Sequence, residues 1–142
     1  MEVCVLNRKC GKRDIVEKLV KFYARYLGID SSRAMLMVSW VKDLSKEHKA
    51  SGITAYVDTS LIFVNIDSKL SMETLMITLA HEMIHVKQIV RGTLKMKNRK
   101  VFWCGKQHKR INGLYEPWEQ QAYKRQYELV EALVDHVNAQ IP

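Results

Sequence analysis

The segment between Ser71 and Gly92 carries apolar side chains around most of the circumference of a predicted helix. Ser71 is a typical N-cap residue and Gly92 suits a helix end, so the helix is expected to run to about Arg91. The apolar positions are Met72, Leu75, Met76, Leu79, Ala80, Met83, Ile84, Val86, Ile89 and Val90. A helix with so little polar surface is buried among other elements of a globular fold.

Residues 81–85 of this helix read His-Glu-Met-Ile-His, an H-E-x-x-H motif. His81 and His85 are one turn apart, so both imidazoles point the same way and can bind one metal ion. Glu82 projects beside the pair, where its carboxylate can accept a proton from water. The alternative is a chance pattern of core histidines, but buried histidines and a carboxylate are costly unless something satisfies them. The motif therefore predicts a metal site, and zinc is the expected ion, one per chain.

A zinc site needs a third ligand from the protein, and a catalytic site leaves the fourth position open. We expect Glu119 to be that ligand, because Pro117 opens a helix and Glu119 lies in its first turn. Acidic residues also favour this turn for capping and for the helix dipole, which is the other interpretation of Glu119. Glu116 is the second choice, and the remaining donors beyond residue 90 are Cys104, His108 and His136.

The first half of the chain predicts a helix followed by strands. A helical period runs from Asp14 to a cap at Gly28, with an apolar face of Ile15, Leu19, Phe22, Tyr23 and Tyr26. Residues 34–41 predict a buried strand and residues 42–51 a polar loop. Residues 53–58 and 61–67 predict a hairpin that turns at Thr59 and Ser60.

The second half adds a basic hairpin or meander over residues 94–111, broken at Gly105. A last helix follows Pro117, and its apolar stripe is expected to face the core: Tyr123, Tyr127, Val130, Val134 and Val137. The order of elements predicts an α+β fold, and the length predicts one domain over residues 1–142.

The positive charge is concentrated in one segment. Residues 83–115 contain no Asp or Glu and nine basic residues, whereas the rest of the chain holds 14 basic and 15 acidic residues. The basic residues are Lys87, Arg91, Lys95, Lys97, Arg99, Lys100, Lys106, Lys109 and Arg110. We expect these charges on one side of the metal site, where they would contact nucleic acid or an acidic protein. The alternative is a solubilising hairpin whose lysines block edge pairing.

The remaining features predict a cytoplasmic protein without membrane contact. The three cysteines form no C-x-x-C pair, the N-terminus does not read as a signal peptide, and no apolar run is long enough to span a bilayer.

A helix bearing H-E-x-x-H, a basic β-hairpin, and then a helix beginning Pro117-Trp118-Glu119 resemble the zincin metallopeptidases of the gluzincin type. The likeness is greatest to small SprT-like and minigluzincin proteins, many encoded by phages, and covers roughly residues 33–135. SprT proteins proper place a third histidine shortly after the motif, whereas residues 86–95 hold none, which favours a glutamate ligand.

The resemblance implies a small sheet packed against the metal-binding helix, with helices at both ends of the chain. It implies that His81, His85 and Glu119 bind zinc and that Glu82 is the general base of peptide hydrolysis. Tyr123, Tyr115 and His108 are the candidate donors to the oxyanion, with packing as the alternative role of Tyr123. The substrate is expected to pair with a sheet edge, either residues 61–67 or residues 101–103. A phage-encoded protein would act in the host cytoplasm.

Three hypotheses follow. The chain is a zinc-dependent peptidase, a nucleic-acid-associated protein that uses the basic segment, or a zincin-fold module that binds a host protein with little or no proteolysis. Glu82 argues against the third hypothesis, since an inactive zincin does not need it.

Overall fold

The computed structural model describes residues 1–6, 13–109 and 115–141. Within these ranges the helices are α1 (Arg13–Tyr26), α2 (Leu44–His48), α3 (Met72–Val90) and α4 (Pro117–Ala139). The strands are β1 (Glu2–Val5), β2 (Met35–Val41), β3 (Gly52–Asp58), β4 (Leu61–Asp67), β5 (Leu94–Lys97), β6 (Lys100–Trp103) and β7 (Lys106–His108). Helices combined with two small sheets form an α+β fold, as predicted.

The larger sheet has the strand order β1-β2-β4-β3. Strands β1, β2 and β4 run parallel, whereas β3 is antiparallel to β4 and lies at the edge. The predicted hairpin is confirmed: β3 and β4 are joined at Thr59 and Ser60, where the Ser60 amide donates to Asp58 Oδ1 at 2.7 Å. The edge strand β3 packs beside α3, so it is the part of this sheet nearest the H-E-x-x-H motif.

One face of this sheet forms the core with α1 and α3. Alternate side chains of β2 and β4 are buried, as the period of two in a strand requires. They are Leu36, Val38 and Trp40 from β2 and Ile62, Val64 and Ile66 from β4. The helices supply the other side of the core, including Val16, Val20 and Tyr23 from α1 and Leu75, Leu79 and Met83 from α3. The helix carrying the motif is therefore held rigidly on a sheet.

The predicted helix ends are confirmed. The Ser71 hydroxyl accepts a hydrogen bond from the Thr74 amide at 3.2 Å at the start of α3. Gly28 and Gly92 follow α1 and α3 with φ angles of 71° and 72°, the left-handed conformation that glycine adopts readily. Pro117 is the first residue of α4. The short elements β1 and α2 were not predicted, because four or five residues give no measurable period.

The predicted core face of α4 is wrong. The buried residues of α4 are Trp118, Ala122, Gln126, Leu129 and Leu133, whereas Tyr123, Tyr127, Val134 and Val137 are exposed. The physical reason is the orientation of Glu119, which faces α3. The positions that follow Glu119 at steps of three and four residues must then face α3 as well. The α1 prediction is wrong at two positions, since Ile15 and Tyr26 are exposed and Val16 and Val20 are buried.

The basic meander is confirmed as a three-stranded antiparallel sheet, β5-β6-β7. Asn98 and Arg99 join β5 to β6 with positive φ angles of 54° and 62°, the conformation of a tight hairpin turn. Cys104 and Gly105 make the next turn, also with positive φ. In the described parts of the chain, no helix has both the length and the apolar character needed to cross a bilayer.

Candidate metal centre

His81 and His85 lie one turn apart in α3, and Glu119 reaches them from the first turn of α4. Their ligand atoms all lie within 4.8 Å of one another. His81 Nε2 is 3.1 Å from Glu119 Oε2, His85 Nε2 is 2.9 Å from Glu119 Oε1, and the two Nε2 atoms are 3.2 Å apart. The two histidines and the glutamate named by the sequence thus form one cluster.

Two glutamines orient the imidazoles from behind. The Gln88 amide nitrogen donates to the Trp118 carbonyl at 3.0 Å and to Gln121 Oε1 at 2.9 Å. Gln88 Oε1 therefore faces His85 Nδ1, at 2.8 Å, and this nitrogen must carry the hydrogen. Gln126 Oε1 lies in the same way 2.9 Å from His81 Nδ1. The Nε2 atoms are left facing Glu119.

This arrangement calls for a positive charge at the centre. With hydrogen on both Nδ1 atoms, two Nε2 lone pairs and two carboxylate oxygens meet at separations of 2.9–3.2 Å. Acceptor atoms at such distances repel one another unless a proton or a metal ion lies between them. Two imidazole nitrogens and a carboxylate are a donor set that zinc prefers, and they leave a fourth tetrahedral position open. The three residues could therefore hold a metal ion, and their donor set is compatible with zinc.

The pKa shifts reflect the same crowding. Burial raises the pKa of Glu119, but hydrogen bonds and charge from His81 and His85 outweigh burial and lower it to about 2. Burial lowers the pKa of His85, but the hydrogen bond and charge of Glu119, the charge of Glu82 and the hydrogen bond to Gln88 raise it overall. The Glu119 carboxylate thus favours the protonated form of the His85 imidazole.

Glu82 lies beside the cluster and packs against β3. It is only 4% exposed, and burial raises the pKa of its carboxyl against the opposing effects of His85 and Thr54. The Thr54 hydroxyl donates to Glu82 Oε2. Gly52 leaves the space for this side chain, since a Cβ atom there would lie 2.9 Å from Glu82 Cγ and 2.8 Å from Thr78 Cγ2. The edge strand therefore fixes where the carboxylate points.

A cleft of about 1140 Å³ opens over the cluster. The residues that line it beyond the C-terminal side of His85 are largely apolar: Ile89, Leu94, Met96, Val101 and Trp118. Beyond the N-terminal side of His81 the lining is mixed: Ile77 is apolar, whereas Ser51, Thr74 and Thr78 are polar. Tyr56 connects β3 to β5 across the cleft, because its hydroxyl accepts a hydrogen bond from the Met96 amide. The cleft thus has two chemically different ends with the cluster between them.

The candidate oxyanion donors are not equally placed. Tyr123 lines the cleft and packs its ring on His81, with ring centroids 4.6 Å apart. Burial, Glu119 and Glu82 raise the pKa of Tyr123, so its hydroxyl keeps its proton. Tyr115 is 73% exposed and His108 packs edge-on against Trp118; neither is among the residues that line the cleft.

The alternative ligands Glu116, Cys104 and His136 do not belong to the cluster. Glu116 lines the cleft as the N-cap of α4 but is not part of the three-residue group. Cys104 is exposed in a turn, and His136 packs against the Phe22 ring at the other end of α4.

The prediction that the basic residues all lie on one side of the site is wrong. Lys95, Lys97 and Lys100 alternate with Met96 and Val101, which line the cleft, so these lysines occupy the opposite face of the small sheet. Lys106 pairs with Trp103 on the cleft-side row. Arg91 instead donates to the Gly28 carbonyl at 2.8 Å. Arg99 and Lys109 are exposed, and Arg110 lies outside the described residues.

The predicted substrate edges are wrong. Residues 61–67 form β4, which is paired on both sides, and residues 101–103 belong to β6, the middle strand of the small sheet. The edge beside the site is β3. Its position next to Glu82 depends on the order of the strands in the sheet, which the sequence does not reveal.

Four polar residues at the site were missed by sequence reasoning: Thr54, Gln88, Gln121 and Gln126. Gln88 follows His85 by three residues and Gln126 follows Glu119 by seven, so each lies on the ligand's own helix face. A side-chain amide at such spacing on a buried helix face is the signal that could have identified Gln88 and Gln126. Thr54 gives no such signal, because its contact crosses from a strand to a helix.

No protein-family model, curated protein or solved structure matches the chain.

Proposed function

We propose that the protein is a zinc-dependent metallopeptidase of the gluzincin type, with a zincin-like fold. The observation that supports this most strongly is the convergence of His81, His85 and Glu119 beside a buried Glu82 at the floor of a cleft. A purely structural zinc site closes all four positions with protein ligands, whereas this donor set leaves one open. An open position next to a carboxylate is the arrangement that hydrolysis requires.

His81, His85 and Glu119 would hold the zinc ion. Bound zinc supplies Lewis-acid chemistry, activating water and polarising the substrate carbonyl. Gln88 and Gln126 keep the Nε2 atoms directed at the centre. The chain therefore contributes a rigid ligand set on two packed helices rather than on loops.

Glu82 would act as the general base. Its carboxylate accepts the proton of the attacking water and then delivers it to the leaving amine. The hydrogen bond from Thr54 holds the carboxylate in one orientation, and Gly52 leaves the space for it because glycine has no side chain. Tyr123, which borders the cleft, is the best-placed protein donor for the developing oxyanion.

The substrate would be an extended peptide that lies along β3. An edge strand offers unpaired backbone groups to a peptide, and alternate side chains of that peptide then enter the cleft. The apolar end, lined by Ile89, Leu94 and Val101, favours a large apolar side chain on one side of the bond that is cleaved.

The test is hydrolysis of casein and of a peptide library by zinc-loaded protein, with Glu82→Gln as the matched control. Glu82→Gln keeps the side-chain shape but cannot accept the proton, so zinc content is retained and hydrolysis falls by about 100-fold or more. Equal hydrolysis by both proteins would refute the role of Glu82. Absence of hydrolysis by wild type on any unfolded substrate would favour a module of zincin fold that binds a host protein without cleaving it.

The basic sheet supports a second candidate function, binding of nucleic acid or of an acidic protein. Lys95, Lys97 and Lys100 share one face of β5-β6 with Phe102, and none of them forms an ion pair within the described part of the chain. Lysines around an aromatic ring suit a phosphate backbone and a base.

Changing Lys97, Arg99 and Lys100 together to Ser would test this function. For duplex DNA, each lost phosphate contact reduces the slope of log affinity against log salt by about 0.9. Zinc content should not change. If wild type shows no DNA affinity at low salt, an acidic protein becomes the expected partner.

A further inference from the structure

Helix α4 has a second apolar stripe that faces away from the core. Its members, here called the outer stripe, are separated by alternating steps of four and three residues: Tyr123, Tyr127, Val130, Val134 and Val137. Tyr127 is 60% exposed and Val134 is 42% exposed, and only Val130 packs partly against the core. This spacing is that of a helix seam that packs against another helix. Apart from the contact of Tyr123 with His81, no element of the described chain covers the stripe's exposed members.

We propose that the outer stripe binds a second copy of this chain, with the two α4 helices antiparallel. From Tyr123 to Val134 the steps of four, three and four residues read the same in both directions, so this part of the stripe is complementary to its own reverse. A two-fold axis then places each four-residue step opposite a matching step of the partner, as an isologous interface requires. This association does not depend on the proposed peptidase activity.

Charge selects one register of this pair. A pairing centred on Ala132 aligns Tyr127 to Val137 with the same segment of the partner, but it brings Glu131 against the partner's Glu131. A pairing centred between Glu128 and Leu129 brings Lys124 against the partner's Glu131, and does so twice because of the two-fold axis. Lys124 and Glu131 are both exposed, and neither forms an ion pair within the described chain. The second register is therefore the proposed one.

Side-chain sizes agree with this register. Tyr123 packs on the partner's Val134 and Tyr127 packs on the partner's Val130, so each of these layers combines one large and one small side chain. Tyr123 also contacts His81, so the interface begins at the rim of the cleft. One helix pair buries less than the roughly 1,200–2,000 Å² of stable complexes, so the dimer is expected to dissociate on dilution.

The experiment is sedimentation velocity of the full chain from about 1 to about 200 µM, a range that covers weak dimers. Wild type should shift from monomer to dimer within this range. Val134→Lys should stay monomeric, and so should Tyr127→Lys, whereas Ile15→Lys on α1 makes the same charge change at an exposed apolar residue and should dimerise like wild type. All three positions are exposed, so the fold is retained.

A charge exchange tests the register. Lys124→Glu should weaken the dimer about tenfold, because two attractive contacts become repulsive. Adding Glu131→Lys to the same chain should restore the affinity of wild type. A wild type that remains monomeric at the highest concentration would overturn the proposal. A dimer that Val134→Lys leaves intact, or a double variant that stays as weak as Lys124→Glu, would overturn it as well.

Discussion

Replacing Gly52 with alanine should displace Glu82 without disturbing the zinc ligands. The new Cβ would lie 2.8 Å from Thr78 Cγ2, 2.9 Å from Glu82 Cγ and 3.1 Å from Glu82 Oε1. Carbon atoms in contact are normally about 3.5–4.0 Å apart, so these groups or the edge strand must move by about 0.6–1 Å. Both neighbours are buried, which leaves them little room.

The magnitude follows from this overlap. Overpacking of a buried site costs about 1–3 kcal/mol, which lowers the Tm of a chain of this size by about 3–10 °C. A misplacement of about 1 Å at a reacting group can cost about 100-fold in rate. Zinc affinity should change little, because the three atoms nearest to the new Cβ belong to Thr78 and Glu82 and to none of the three ligands.

The assay combines thermal unfolding, zinc titration and hydrolysis of the best substrate. Gly105→Ala is the control, because a Cβ there has nothing within 4 Å but meets a φ angle of 81°. It should lose about 1 kcal/mol from backbone strain and keep its rate. Gly52→Ala with the Tm and rate of wild type would show that the edge strand does not position Glu82.

Three further outcomes are expected. Glu119→Ala should weaken zinc binding by at least about 100-fold, whereas Glu116→Ala should leave it nearly unchanged, as measured by chelator competition; equal losses would assign the third ligand wrongly. Gln88→Leu should weaken zinc binding by about 10–100-fold, because His85 loses the acceptor that fixes its tautomer, and unchanged affinity would contradict that role. Asp67→Ala should cost about 1–2 kcal/mol of unfolding free energy at neutral pH. A hydrogen bond from the Ser45 side chain and further hydrogen bonds from the Lys69 and Ser45 amides lower the pKa of Asp67. The contribution of Asp67 to stability is therefore complete above about pH 4 and is lost as the pH falls through the folded-state pKa. A wild-type advantage that persists well below that pKa would contradict this.

Local patterns were sufficient for much of the fold. The caps at Ser71, Gly28 and Gly92 and the turn at Thr59 depend on neighbouring residues, so they could be predicted from the sequence. The spacing of His81 and His85 on one helix face has the same local origin, which is why their meeting was foreseeable.

Contacts between elements that are distant in the sequence were harder to predict. Helix α4 carries two apolar stripes, and composition favoured the one with tyrosines and valines, yet the orientation of Glu119 toward α3 buries the other. The place of β3 at the edge, and hence the contact of Thr54 with Glu82, depends on sheet order. No period along the chain reports sheet order.

Zinc titration of the metal-free protein measures the proposed site most directly. We expect one zinc ion per chain, a rise in Tm on binding, and loss of both in His85→Ala, because the binding free energy adds to the stability of the fold. A wild-type protein that takes up no zinc from an equimolar solution, or that binds it equally well without His85, would contradict a metal centre formed by His81, His85 and Glu119.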